Sequence, residues 1–132
     1  MNKLKALLRA GETPWMGIYL RLLGVTYLAL SGLHFANLLG YGQIPLEDLT
    51  GEAKTASLIY AQLFAFSAVG LWMRRSWGII LFFITAFSQL ALYAGFPELV
   101  ATTDEQLQAL QGIINYHIST LAIFIIIRMQ GR

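Results

Sequence analysis

Apolar residues gather in four long stretches, separated by short segments rich in glycine, proline and charge. A hydrocarbon core about 30 Å thick is crossed by roughly 20 helical residues. The stretches at about residues 15–39, 55–73, 77–96 and 109–128 meet that length, so the pattern predicts four transmembrane helices. Ahead of them, residues 1–11 place Leu4, Leu7 and Leu8 on one helical face and Lys3, Lys5 and Arg9 on the other. That arrangement suits an amphipathic helix lying in the headgroup region. Gly11 ends it, Thr13 caps the next helix, and Pro14 takes the first helical position, where its missing N–H costs nothing.

The separators fix the connections. Gly40, Gly42, Pro45, Glu47 and Asp48 read as a loop, whereas Arg74-Arg75-Ser76 is so short that the second and third helices form an antiparallel hairpin. Trp72 and Trp77 bracket that turn at the membrane interface. Pro97 and Glu98 end the third span, and Thr102-x-x-Glu105 or Thr103-x-x-Gln106 offers a capping box for the fourth helix. Small residues at four-residue spacing let helices approach closely, which marks Ser57, Ala61 and Ala65, and also Ala91 and Gly95, as packing positions. The expected fold is all-α: an integral membrane four-helix bundle, with residues 1–132 as a single transmembrane domain that includes the N-terminal interfacial helix.

Composition explains why these stretches meet lipid. The chain is 57% hydrophobic and 12% charged, against about 25% charged in a soluble domain. So few polar side chains cannot cover a water-facing surface of this size. The absence of cysteine excludes disulfides, thiolate metal sites and cysteine nucleophiles. The net charge of +2 sits beside the spans and forms no separate basic patch, so nucleic acid is not an expected partner. Lys3, Lys5 and Arg9 precede the first span, Arg74 and Arg75 join the second and third, and Arg128 and Arg132 follow the fourth. The two remaining loops contribute only Lys54. The positive-inside rule then predicts a multi-pass protein of the cytoplasmic membrane with both termini cytoplasmic.

Depth along the spans adds candidate chemistry. His34, Asn37, Gln62, Gln89, Asn115 and His117 all fall in the outer half, with Tyr93 extending the set, while the inner half is nearly bare of polar residues. Two readings stand open. These groups bond across helices for ~0.6 kcal/mol each, or they line a pocket for a lipid, a quinone or a small solute. His34 and His117 also raise axial ligation of a b-type haem, although counting residues separates them in depth by roughly 7 Å. No other cofactor is expected. Arg21 lies inside the first span and is expected to snorkel to lipid headgroups, which Arg74 and Arg75 also meet. No acid lies within a span, which argues against proton-coupled transport. No triad order, metalloprotease pair or phosphate loop is present, so no catalytic or metal-binding residue is assigned and enzymatic activity is unsupported.

The run Leu71-Trp72, Ser76-Trp77-Gly78 and Phe96-Pro97-Glu98 resembles small four-span bacterial inner-membrane proteins of unknown function. The resemblance covers roughly residues 70–99. It implies a bacterial inner-membrane location and transfers no site residue. The leading functional expectation is a small accessory or structural subunit, packed against a larger membrane complex or a further copy of itself among membrane lipids. A ligand-binding module with an outer polar pocket is the alternative, followed by a haem redox anchor and a small transporter.

Overall fold

The structure is a computed structural model that describes residues 14–41, 51–99, 101 and 103–130. The expected interfacial helix at 1–11, the Thr13 cap, the loop carrying Pro45, Glu47 and Asp48, and Arg132 lie outside the described residues. Four α-helices follow one another: α1 Pro14–Leu38, α2 Gly51–Trp72, α3 Ser76–Gly95 and α4 Asp104–Gln130, with a 3-10 turn at Pro97–Leu99 before α4. All four are long and apolar enough to cross a membrane.

Local chemistry sets where each helix begins and ends. α1 starts at Pro14, the position proline favours. In the first described turn of α2 the Thr55 hydroxyl donates to the Gly51 carbonyl at 2.9 Å. At the head of α4 the Thr103 Oγ1 accepts the Gln106 N–H at 3.2 Å, while Thr102 of the other expected capping box lies outside the described residues. The resulting helix has 27 residues, or about 40 Å at 1.5 Å per residue, and so outreaches the bilayer core.

α1 and α2 close with the same backbone device. After α1, Gly40 N–H donates to Asn37 O at 3.3 Å and Tyr41 N–H to Ala36 O at 2.8 Å. After α2, Arg74 N–H donates to Leu71 O and Arg75 N–H to Gly70 O, both at 3.0 Å. These paired bonds define a Schellman motif, whose pivot residue is left-handed and usually glycine. The pivot is Gly40 at φ +85° in α1 but Arg74 at φ +57° in α2.

Two backbone contacts hold the first three helices together. A Cβ placed on Gly24 of α1 would lie 3.0 Å from the Ala68 carbonyl oxygen of α2, and one on Gly78 of α3 would lie 2.2 Å from the Gly70 carbonyl carbon. Above these contacts Tyr27, Phe64, Phe82 and Phe124 fill the centre, one from each helix. α1 and α2 form the most extensive pair, and α4 meets its neighbours α1 and α3 most sparsely. Only 28% of the apolar window of α4 is buried, against 50% for α2, which leaves α4 the most open helix.

The small-residue positions divide. Ser57 and Ala61 are buried, with the Ser31 hydroxyl donating to the Ala61 carbonyl at 2.7 Å. Ala65 is half-buried and Ala91 is exposed, while a Cβ on Gly95 would meet nothing within 4 Å. Within the chain, close approach runs through Gly24, Gly70 and Gly78, and Ala91 and Gly95 face outward.

Candidate functional site

The polar residues of the spans tie neighbouring helices edge to edge. α1 meets α2 through Ser31, α2 meets α3 through the Tyr60 hydroxyl donating to Ser88 at 2.9 Å, and α1 meets α4 through the Tyr19 hydroxyl donating to the Thr120 carbonyl at 2.6 Å. Thr26 and Tyr116 add a second hydroxyl contact between α1 and α4. The circuit closes between α3 and α4 at Gln89 and His117.

That pair is a deeply placed polar contact. Both side chains are fully buried, and His117 Nε2 lies 2.6 Å from Gln89 Oε1. The Gln89 amide N–H donates to the Tyr93 hydroxyl at 3.2 Å. With the amide nitrogen so engaged, Oε1 accepts from His117 Nε2–H, and Nδ1 is left as the bare ring nitrogen. His117 Nδ1 and the Tyr27 hydroxyl are buried with no hydrogen-bond partner among the described residues. Tyr93 in turn lines a cavity of about 350 Å³ between the ends of α3 and α4, with Pro97, Leu107 and Gln111. A hydrogen-bonded line therefore runs from that cavity to the imidazole in the core.

His34 reaches the same region from α1. Its ring stacks on Phe64 at 5.6 Å and 13°, and Phe64 also stacks with His117 at 6.1 Å and 6°. Its Nδ1 lies 3.5 Å from the Ser57 hydroxyl. Helix packing thus brings the two histidines, separated in depth by residue counting, against one phenyl ring. These residues do not fit a bis-histidine haem. The two ligand nitrogens must converge on one iron, whereas Gln89 holds His117 Nε2 at 2.6 Å and both imidazoles pack against Phe64.

The remaining members of the predicted lining lie elsewhere. Asn37 is half-buried at the last turn of α1, and Gln62 is exposed at the midpoint of α2. Asn115 is exposed on α4 and accepts from the Gln111 amide on its own helix at 3.0 Å. One outer pocket lined by all seven residues is therefore not formed: Gln89, Tyr93, His117 and His34 converge, while Gln62 and Asn115 point away from the core. The half nearer Arg74 is also less bare than expected, since Ser67 and Thr85 are buried with their hydroxyls 3.4 Å apart. Tyr27 and Phe64 escaped the sequence reading because an aromatic in an apolar run carries no mark of position.

Arg74 and Arg75 are exposed at the α2–α3 turn. Arg21 is exposed too, yet its head is engaged: Nε–H donates to the Trp72 carbonyl at 3.4 Å, and the guanidinium lies 5.3 Å from the centre of the Trp72 ring. A cation there meets both the negative end of the α2 dipole and the face of an aromatic ring. This is how an arginine inside a span is accommodated with no acidic partner among the described residues.

A different surface emerges on α4. Gln111, Gly112, Asn115, Ser119 and Ala122 are all exposed and form one stripe at three- and four-residue spacing. They lie on the side opposite the buried His117, Thr120, Leu121 and Phe124.

Four membrane-length helices tied to their neighbours by hydrogen bonds define an α-helical multi-pass membrane protein. The chain belongs to a family of unknown function (DUF6163), whose model matches residues 14–131 and so takes in all four helices. No curated protein and no solved structure matches it.

Proposed function

We propose that this protein is a small accessory or structural subunit of the bacterial cytoplasmic membrane. It associates laterally with a larger membrane protein complex and keeps both termini on the cytoplasmic side. The observation that carries this reading is the polar stripe of Gln111, Asn115 and Ser119 on the exposed side of the least covered helix. Amides and hydroxyls are costly against lipid tails and normally face protein at that depth. Gly112 and Ala122 beside them let another helix come close. Arg74, Arg75 and Arg128 at one end of the bundle support the orientation. Extraction of the native protein in mild detergent, followed by native mass measurement, tests the reading. A reproducible assembly with a larger membrane protein is expected, and a lone, stable 14.7 kDa chain contradicts it.

A second reading, a module that binds a lipid, quinone or small solute, is favoured by one observation. The cavity lined by Tyr93 and Gln111 is in hydrogen-bond communication with His117 through Gln89. It predicts a small molecule that travels with the purified protein and is lost when Gln89→Ala is combined with His117→Ala.

A further inference from the structure

Between Leu58 and Met73 the exposed side of α2 carries one polar group within an apolar face. Gln62 stands at the midpoint of the 22-residue helix, flanked on the same side by Leu58, Phe66, Val69 and Met73, all exposed. Its amide has no hydrogen-bond partner among the described residues. In the middle of a bilayer no water reaches it, so both its N–H and C=O require a protein partner. Towards Arg74 the same face deepens into an apolar groove of about 240 Å³ between α1 and α2. Val69 and Met73 form one wall, Val25 and Leu28 the other, and Gly24 and Ala68 lie within it. The face therefore combines an unpaired donor and acceptor with a recess for side chains.

From this geometry we propose that the protein forms a parallel, two-fold homodimer through the α2 face, with the Gln62 amides of the two copies bonded to each other across the axis. Two properties of Gln62 select a second copy over another partner. A primary amide carries one acceptor oxygen and N–H donors, so two of them complement each other in both directions. Two copies of one chain also enter the membrane in the same sense, so a two-fold axis along the membrane normal brings the two amides to the same depth. An unrelated helix would have to match both depth and polarity independently. α2 and α4 lie at opposite corners of the bundle. The dimer therefore leaves the α4 stripe free, and this inference stands or falls separately from the reading of α4.

The absence of cysteine allows a clean test. Single substitutions Leu58→Cys, Gln62→Cys and Phe66→Cys, with Ile84→Cys on the exposed side of α3 as control, are oxidised in liposomes at high lipid excess. Disulfide-linked dimers from the α2 positions and none from Ile84→Cys are expected. No dimer from any α2 position, or equal dimer from the control, overturns the proposal. A parallel energy-transfer dilution series compares the natural chain with Gln62→Leu, whose change lies on the exposed surface. Loss of one or two interhelical bonds weakens association by about three- to tenfold. Gln62→Leu associating as tightly as the natural chain contradicts the amide pairing.

Discussion

His117 and Gln89 meet at 2.6 Å in the fully buried core, where each satisfies a group that water cannot reach. Removing one partner alone should cost more than removing both, because a lone buried polar group keeps its desolvation penalty. Gln89→Leu is predicted to destabilise the bundle by about 1–3 kcal/mol. The double variant Gln89→Leu/His117→Leu is predicted to recover part of that loss. A double-mutant cycle on unfolding in detergent checks this, and simple additivity would mean the two side chains do not interact.

The α2–α3 hairpin depends on two glycines in van der Waals contact. A Cβ at position 78 would lie 2.2 Å from backbone carbon, which cannot rotate away. Gly78→Ala is predicted to lower stability by about 1–3 kcal/mol or more, as overpacking does. Gly95→Ala, with no atom within 4 Å of the added methyl, should leave the melting temperature unchanged or slightly raised.

Gly40 and Arg74 occupy the same pivot of the same motif, so they respond in opposite directions. Arg74 holds a left-handed conformation that costs a side chain roughly 1–2 kcal/mol. Arg74→Gly is predicted to stabilise the folded bundle by about 1 kcal/mol, and Gly40→Ala to destabilise it by a similar amount. Thermal melts of the two variants in one detergent decide this.

Arg21 separates two roles for a membrane arginine. Snorkelling needs only a long cationic stem, which lysine also supplies. Capping the Trp72 carbonyl while stacking on its ring needs a flat guanidinium. Arg21→Lys is therefore predicted to cost about 0.5–1 kcal/mol, read from the unfolding midpoint. Equal stability would return Arg21 to the lipid headgroups.

Helix number, order and approximate bounds were legible because hydropathy reports length directly, as with Ser76–Gly95 where the pattern places a span at about 77–96. The direction in which each side chain points was not. In a soluble bundle the apolar side marks the core, but here lipid and core are both apolar, so the helices are oily all round and depth alone can be read. Gln62 and Gln89 look alike in sequence, yet one is exposed and the other fully buried. The same lack of direction hid the Gly70–Gly78 contact and the stacking of both histidines on Phe64. Ser57 and Ala61 were readable as packing positions because small residues at four-residue spacing need little more than the spacing itself.

A subunit role requires the exposed polar side of α4 to be covered by another protein. The direct measurement places a photo-crosslinking side chain at Asn115 or Ser119, and for comparison at Ile84 on the exposed side of α3, and irradiates intact native membranes. A single defined protein adduct is expected from Asn115 and Ser119, of larger mass than a dimer of this chain, and none from Ile84. Adducts with lipid alone at Asn115 and Ser119, as at Ile84, would contradict it.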